Sequence, residues 1–252
     1  MTEDGGRPTT TSAEELLRVH AVAKSFGDVS VLEEITFTLE SGELSAVVGP
    51  NGSGKTTLLR VLAGSLTPND GIVEFCQSEV DRAVGYLPQE PRFRPSFTAR
   101  ETLDFYATLV NGDAGGALER VGLTDAADRR VEALSGGMTR LLGLAQATIG
   151  DPPVYLLDEP VSGLDPTMRR RTFRIARELA DDGAAVLLAS HDLSLVEKYS
   201  DGLFVLDGGT VAAAGSPASI CEERGVETLD AAFDAVVDRP DVGVAVLGVT
   251  DE

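Results

Sequence analysis

A glycine-rich segment near residue 50 carries the residue types that bind phosphate. The stretch AVVGPNGSGKTT fits the pattern G-x-x-x-x-G-K-[ST], between a β-like apolar run and a helical one. Glycines there let backbone N–H groups surround phosphate oxygens, Lys55 can neutralise the β- and γ-phosphates, and the Thr56 hydroxyl can ligate Mg²⁺. An ordinary glycine-rich turn is the alternative, but the flanking elements favour an ATP-binding loop formed by Gly49, Pro50, Asn51, Gly52, Ser53, Gly54, Lys55, Thr56 and Thr57.

Two adjacent carboxylates follow the apolar run VYLL. Because α/β sheets bind ligands outside the carboxyl ends of their strands, Asp158 and Glu159 are candidates for a site at such an end. Asp158 is suited to the Mg²⁺ shell, and Glu159 to orient or deprotonate the water that attacks the γ-phosphate. Taken alone, the pair could equally be a helix cap or a solvated turn.

A histidine ends the apolar run of AAVLLASHD. If the strand that carries His191 neighbours the strand of Asp158, the imidazole can reach the γ-phosphate and the attacking water. His191 is one of only two histidines in the chain. An ordinary surface residue is the alternative.

A second glycine-led helix start lies in LSGGMTRLLGLAQ, residues 134–146. Glycine weakens a helix interior, yet it leaves backbone N–H groups open to an approaching anion. Ser135, Gly136 and Gly137 therefore form a second candidate phosphate contact in a chain that already has one.

The pattern around these residues predicts an α/β fold. Runs such as VYLLDEP, AAVLLASHD and GLFVLDGG alternate with helical segments, as in a parallel sheet whose strands are buried on both faces. LLRVHAVAKSF, VLEEITFTLESGELSAVVG and GIVEFC indicate further short strands, ETLDAAFDAVV a helix, and GVAVLGV a possible final strand. We expect an unstructured N-terminus at 1–14, an ATP-binding core at 15–94 and 151–215, a helical subdomain at 95–150 and a C-terminal extension at 216–252.

The chain of 252 residues is strongly acidic, with a net charge of −20 and a pI near 4.4. This charge excludes nucleic acid as a main partner, because phosphate backbones attract patches of Lys and Arg. Only three of the 21 basic residues are lysines, at positions 24, 55 and 198. The composition resembles proteins of halophilic archaea, which stay hydrated in molar salt; an ordinary acidic cytosolic protein is the alternative.

Membrane and secretion signals are not evident in the sequence. Its apolar stretches fall short of the roughly 18 residues of a membrane span, and the polar N-terminus lacks a signal-peptide core. Cys76 and Cys221 are far apart and predict two buried free thiols, consistent with a reducing cytoplasm. We therefore expect a cytoplasmic chain whose membrane role, if any, requires a partner.

Six motifs resemble, in order and spacing, those of the ATP-binding cassette (ABC) ATPases: GPNGSGKTT, YLPQE, LSGGM, VYLLDEP, SGLD and ASHD. The resemblance covers residues 16–215. It implies a P-loop NTPase core with a mixed parallel sheet, an N-terminal antiparallel β region and an inserted helical subdomain. It also implies a head-to-tail sandwich, in which each ATP lies between the P-loop of one cassette and Ser135, Gly136 and Gly137 of another.

The same resemblance implies roles for further residues. Gln89 of YLPQE is similar to the Q-loop glutamine, which touches the metal and the attacking water. Asp165 of SGLD resembles the D-loop aspartate at the dimer interface, and His191 the switch histidine. Phe26 matches the position of the aromatic that stacks on adenine, a core Phe being the alternative. With ATP and Mg²⁺ as cofactors, the implied catalytic residues are Glu159, His191 and Gln89, and the implied metal ligands are Thr56, Gln89 and Asp158.

A single cassette without membrane segments resembles the nucleotide-binding subunit of a transporter. Its implied partners are an integral membrane permease and a second copy of itself or a related cassette, at the cytoplasmic face of the cell membrane. The permease's coupling helix is expected to dock at residues 89–110, with Phe93 and Phe97. GYLPQEPRFRPSFTARETLDFYATL and the tail helix resemble the ABC-2 type exporter branch. A soluble cassette ATPase, as in iron–sulfur cluster assembly, is the alternative, whereas a P-loop kinase would leave LSGG and SGLD without a role.

Two positions depart from the family pattern. Leu141 stands where the family usually has an arginine, with Arg140 one place earlier, and Val161 replaces a commoner Thr after DEP. Neither position touches the phosphate-binding residues, so we expect hydrolysis to survive. The departure leaves open whether Arg140 takes over the polar contacts of the missing arginine.

Overall fold

The computed structural model describes residues 14–77 and 82–237. The possible final strand GVAVLGV and residues 1–13 lie outside the described residues. The strands are β1 Glu15–Phe26, β2 Val29–Glu40, β3 Leu44–Val48, β4 Asp70–Phe75, β5 Val84–Leu87, β6 Val154–Asp158, β7 Ala185–Ala189, β8 Gly202–Asp207 and β9 Thr210–Gly215. The helices are α1 Lys55–Leu62, α2 Ala99–Val110, α3 Ala114–Val121, α4 Gly136–Thr148, α5 Pro166–Asp181, α6 Leu193–Tyr199, α7 Pro217–Arg224 and α8 Leu229–Val237.

The main sheet has six strands in the order β5-β6-β7-β3-β8-β9. All neighbouring pairs are parallel except β8 with β9, which run antiparallel. Every residue of β3, β6 and β7 is buried, which explains why these strands are continuous apolar runs in the sequence. The predicted α/β fold with a mixed, mainly parallel sheet is confirmed.

A second sheet, antiparallel and in the order β2-β1-β4, confirms the predicted N-terminal β region. The segment LLRVHAVAKSF forms β1, and the first part of VLEEITFTLESGELSAVVG forms β2; both strands run for 12 residues and are longer than the expected short strands. Their register shifts at several points, and Ala21 and Glu34 have φ of 48° and 51°. Such bulges interrupt the alternation of apolar residues along both strands.

Two apolar cores lie on opposite faces of the main sheet. Leu58 and Leu59 of α1 pack with the buried face of the antiparallel sheet in one core. The other core holds the inserted helices and α5, with Leu142 and Phe173 fully buried. Strands covered on both faces in this way hold their carboxyl ends in fixed positions, which is what a site at the sheet edge requires.

The segment between β5 and β6 contains α2, α3 and α4, as its helical pattern predicted. Helix α2 begins with a capping box, in which Thr98 Oγ1 accepts from the Glu101 N–H and the Glu101 carboxylate accepts from the Thr98 N–H. Helix α4 packs on α3 and reaches β5 and β6 of the core. The exact division of the chain into domains stays a prediction.

The end of the described chain returns to the main sheet. Helix α8, predicted from its apolar repeat, packs on α6 and α7 through the buried Leu229 and Ala232. Cys221 of α7 is buried as expected, but Cys76 is exposed, so the prediction of two buried thiols was wrong for Cys76. Cys76 directly follows β4, an edge strand of the small sheet, where burial alternates from residue to residue.

The three lysines occupy different environments. Lys55 is buried as the first residue of α1. Lys24 donates from Nζ to the Thr67 carbonyl oxygen at 2.7 Å, and its Nζ lies 5.3 Å from the centroid of the Phe26 ring. Lys198 is exposed on α6, beside the ring of Tyr199.

Candidate functional site

The glycine-rich loop joins the end of β3 to the start of α1. Gly54 has φ of 104° and caps α1 without any side-chain hydrogen bond, so the first N–H groups of the helix are open to an anion. A Cβ on Gly54 would lie 2.8 Å from the Val31 carbonyl oxygen, and one on Gly49 2.1 Å from that of Leu206. Both positions therefore require glycine, and the loop has the shape of a phosphate cradle.

Lys55 is held inside this loop. Its Nζ donates to the carbonyl oxygens of Gly49 at 2.8 Å and Pro50 at 3.1 Å. Burial lowers the pKa of Lys55, while the carboxylates of Glu159 and Asp158 act in the opposite direction. A phosphate in the cradle would supply the anionic partner that a buried ammonium needs.

Three further parallel strands deliver the other candidate residues to the edge of the sheet where β3 leads into the glycine-rich loop. Strand β5 leads to Gln89, β6 ends at Asp158, and β7 leads to His191. The resulting cleft of about 420 Å³ is lined by Val31, Asn51, Gly52, Gly54, Lys55, Thr56, Thr57, Gln89, Glu159 and His191. Gln89, Glu159 and His191, which are far apart in the sequence, thus line the same cleft as the P-loop residues.

Asp158 and Thr56 form a set of hard oxygen donors. Thr56 Oγ1 donates to Asp158 Oδ1 at 3.1 Å, while Asp158 Oδ2 is buried without a hydrogen-bond partner. Burial raises the pKa of Asp158, and the Thr56 hydroxyl opposes that shift. Hydroxyl and carboxylate oxygens are the ligands that Mg²⁺ prefers, so these residues fit the metal that the family resemblance implies.

Glu159 directly follows β6 in an unusual backbone conformation. Its φ of 48° lies in the left-handed region, which non-glycine residues rarely adopt outside constrained sites. Its side chain is nearly buried, and this burial raises the pKa of Glu159 to about 7, although Lys55 acts to lower it. A carboxyl group with a pKa near neutrality is suited to accept a proton from water.

His191 faces this carboxylate. Nε2 of His191 lies 3.1 Å from Oε1 of Glu159, but without hydrogen-bond geometry, and Oε1 has no other partner among the described residues. Burial and the charge of Lys55 both lower the pKa of His191. The described residues have four buried side-chain oxygens without a partner, on Ser53, Asp158, Glu159 and Ser200. Three of the four belong to this site, which indicates that a ligand satisfies them.

Arg140 joins two segments of the site through their backbones. Its guanidinium donates to the carbonyl oxygen of Glu159 and, at 2.7 Å, to that of Gln89. Leu141, at the family's usual arginine position, is buried in the core instead, as is Val161. Arg140 therefore makes polar contacts one residue before the apolar Leu141. The sequence signalled only that an arginine stood one place away.

Arg169 of α5 makes a similar connection that the sequence did not signal. Its Nε donates to the Leu164 carbonyl oxygen at 3.0 Å, and its Nη1 donates to Asp192 Oδ2 at 3.2 Å. It thereby joins the SGLD segment to the residue after His191. No motif distinguishes this arginine from its neighbours Arg170 and Arg171.

Nine residues of the predicted site do not line the cleft: Gly49, Pro50 and Ser53 of the glycine-rich loop, Asp158 at the end of β6, and Phe26, Asp165, Ser135, Gly136 and Gly137. Phe26 lies at the end of β1 with half of its surface exposed. Asp165 caps α5, where its Oδ1 accepts from the N–H groups of Thr167 and Met168. Ser135 caps α4 and accepts from the Met138 N–H at 3.2 Å. Gly136 and Gly137 begin that helix, and a Cβ on Gly136 would meet no atom within 4 Å.

Comparison with known proteins identifies the family. Residues 32–162 match the ABC transporter family. The chain belongs to this family. It is 36% identical to the Nod factor export ATP-binding protein I of Burkholderia lata over 217 residues, which are 81% of this chain and 71% of the relative. It is 38% identical to the uncharacterized ABC transporter ATP-binding protein YxlF of Bacillus subtilis, over 79% of this chain and 70% of the relative.

A solved structure supports the same identification of the cassette. The ATP-binding subunit of an ABC transporter superposes with a TM-score of 0.80 at 26% identity, covering 88% of this chain and 99% of the other. The cassette is an ATPase, the ATP-binding subunit of an ABC transporter that drives transport across a membrane. Within the described residues, no helix is both long and apolar enough to span a bilayer.

Proposed function

We propose that this cassette binds ATP with Mg²⁺ in the P-loop cleft, dimerises around the nucleotide and drives a separate permease of the exporter type. The observation that carries the proposal is an incomplete site. The cleft gathers Lys55, Glu159 and His191, whereas Ser135, Gly136 and Gly137 do not line it. A second copy or a related cassette would bring its own serine and glycines to the open side of the cleft.

The proposal gives roles to the residues that would contact the phosphates, the metal and the attacking water. The open N–H groups at the start of α1 and the ammonium of Lys55 bind the phosphates. The Glu159 carboxylate accepts a proton from the attacking water, and Gln89 and His191 position that water against the γ-phosphate. Thr56, Asp158 and Gln89 would hold Mg²⁺, which when bound neutralises charge on the β- and γ-phosphates.

Phe26 and Asp165 complete the proposed site outside the cleft. The half-exposed ring of Phe26 provides a stacking surface for adenine. Asp165 is exposed at the start of α5, where it meets the second cassette. One carboxylate oxygen already caps α5, so the other is the one that faces the partner.

The permease docks, in this proposal, on an aromatic groove beside the inserted helices. The groove, of about 410 Å³, is lined by Arg92, Phe93, Arg94, Pro95, Phe97, Thr102, Phe105 and Tyr106. Phe105 is 55% exposed, although large apolar side chains are normally covered in a soluble domain. Two arginines and no carboxylate line the groove, in a chain whose net charge is −20. An apolar helix that carries acidic residues fits this surface.

Two further proposals, that the transporter is an ABC-2 type exporter and that the protein comes from a halophilic archaeon, rest on different observations. The relative from Burkholderia lata is named as an export protein, and the GYLPQEPRFRPSF segment resembles the ABC-2 exporters. The cassette then acts at the cytoplasmic face of the cell membrane, through its permease. The net charge of −20 with only three lysines supports a halophilic archaeal source.

Copurification tests the proposal against the soluble alternative. Full-length tagged cassette, expressed in its native host, should retain an integral membrane protein after detergent extraction. Phe105→Ser should lose this partner while keeping the ATPase activity of the free cassette, and Val29→Ser, on an exposed strand position, should lose neither. Retention of soluble iron–sulfur assembly factors instead would contradict the transporter assignment.

Gel filtration tests the proposed dimer. Glu159→Gln with ATP and Mg²⁺ should elute as a dimer at high salt, and a persistent monomer would contradict the head-to-tail sandwich.

A further inference from the structure

Arg140 lies one turn into α4, the helix that Ser135 caps. It is half-buried, and its two guanidinium contacts are both to backbone carbonyls. Arg140 is not among the residues that line the cleft. Arg140 is the one basic residue of α4, and its guanidinium thus binds backbone carbonyls rather than phosphate.

One of its two acceptors belongs to a residue with a left-handed backbone conformation. Glu159 has φ of 48°, a conformation that persists only where surrounding contacts hold it. Its N–H donates to the Ala189 carbonyl oxygen at 3.2 Å, at the end of β7. Its carbonyl oxygen accepts from Arg140 and from the Ser162 N–H. The peptide groups on both sides of the Glu159 Cα are therefore fixed, and with them the direction in which its side chain leaves the backbone.

The other acceptor lies in the segment after β5. The Gln89 carbonyl oxygen receives the second N–H group of the same guanidinium at 2.7 Å. Because the guanidinium is planar and rigid, the two carbonyls it binds are held at a fixed spacing. Gln89 and Glu159 both line the cleft, so this spacing also relates their side chains across the site of water attack.

We infer that Arg140 is a positioning residue for hydrolysis. It fixes Glu159 and Gln89 relative to each other and connects them to α4, the helix that begins with Gly136 and Gly137. This inference rests on the proposed role of Glu159 as the base. A movement of α4 would shift both residues together through one side chain. Arg140 then makes the alignment of the base depend on the position of the helix that meets the other cassette.

The test compares steady-state kinetics of the full-length chain as Arg140→Ala, Arg140→Lys and the control Arg174→Ala, an exposed arginine of α5. For Arg140→Ala we expect kcat to fall about 10- to 100-fold, with KM and the ATP dissociation constant within about threefold of wild type, because misplacement of a reacting group lowers kcat. Arg140→Lys keeps the charge without the planar fork and should give an intermediate kcat. Millimolar guanidinium should restore part of the activity of Arg140→Ala and none to Arg174→Ala.

Several results would overturn the inference. Wild-type kcat in Arg140→Ala, or weaker ATP binding at unchanged kcat, would do so. If Arg140→Ala does not fold, as judged by thermal melting, wild-type kcat in Arg140→Lys decides against it. Glu159→Gln is measured in parallel. If that variant hydrolyses ATP normally, the proposed base is wrong, whereas an inactive Glu159→Gln beside a fully active Arg140→Ala refutes the Arg140 inference alone.

Discussion

Nε2 of His191 lies 3.1 Å from Oε1 of Glu159, across the cleft that also holds Lys55. The two side chains come from the ends of neighbouring parallel strands, β7 and β6. A water between this pair and the γ-phosphate would meet a carboxylate that accepts its proton and an imidazole that orients it. The proposed proton acceptor and the proposed water-orienting group therefore lie side by side.

Replacing the base should separate binding from hydrolysis. For Glu159→Gln we expect the rate of phosphate release to fall by about 10²- to 10⁴-fold, because the amide cannot accept the proton of water. The ATP dissociation constant should change little, since Lys55 and the loop N–H groups remain. Release of labelled phosphate and equilibrium binding measure the two quantities. A variant that retains normal turnover would show that another group is the base.

The raised pKa of Glu159 predicts a pH-dependent stability of the nucleotide-free cassette. Its pKa rises from 4.5 to about 7 on burial, so the folded state keeps this proton longer than the unfolded chain. The contribution is fully present below pH 4.5 and is lost as the pH rises through 7. In EDTA without nucleotide, Glu159→Gln should therefore exceed wild type in stability by about 1–3 kcal/mol at pH 8, and match it near pH 4.5.

Thermal or denaturant unfolding at several pH values measures this difference. Glu178→Gln, on the exposed face of α5, serves as the matched control and should show no such trend. A stability difference between Glu159→Gln and wild type that is the same at every pH would contradict the prediction.

In the proposed dimer, the P-loop of one cassette faces Ser135, Gly136 and Gly137 of the other. This arrangement predicts that two inactive variants restore activity when they are mixed. Lys55→Ala should be inactive through its P-loop, and Gly137→Asp through charge repulsion between its carboxylate and the γ-phosphate. Mixed in equal amounts, half of the dimers are mixed and each has one intact site, so about a quarter of wild-type ATPase activity should return. Mixing either variant with the double variant should restore none. Absence of activity in the first mixture, with dimers present, would argue that each site is complete within one chain.

Phe26 should contribute to nucleotide affinity through stacking. Stacking of a base on an aromatic ring is worth about 1–3 kcal/mol, so Phe26→Ala should weaken ATP binding about 5- to 100-fold, while Phe26→Tyr should retain it. Calorimetry in the Glu159→Gln background avoids turnover. Val29→Ala is the control, because Val29 is also an exposed apolar residue of the β1–β2 hairpin. Equal affinities for Phe26→Ala and wild type would assign the ring a different role.

The sequence predicted the cleft residues well because each is specified locally. An apolar run followed by a carboxylate or a histidine marks a strand end, and parallel strands bring their carboxyl ends to one edge. Asp158, Glu159 and His191 needed only that rule to be placed together. The glycines of the P-loop likewise record a local backbone requirement, since a Cβ on Gly49 would clash with β8.

Other features depend on how distant elements approach each other, which no local pattern encodes. Arg140 meets the carbonyls of Gln89 and Glu159 only because α4 packs on β5 and β6. Arg169 reaches Asp192 across two loops. The left-handed backbone of Glu159 likewise arises from contacts made by other segments.

The scarcity of lysine also has a practical consequence for chemical labelling. Amine-reactive dyes and cross-linkers attack unprotonated, accessible amines, and the three lysines differ in accessibility. Lys55 is buried and Lys24 is engaged with the Thr67 carbonyl, which leaves Lys198 as the exposed lysine. It lies on α6, the helix that begins two residues after His191. A fluorophore attached at Lys198 would therefore report from the last turn of the helix that follows His191, without the introduction of a cysteine.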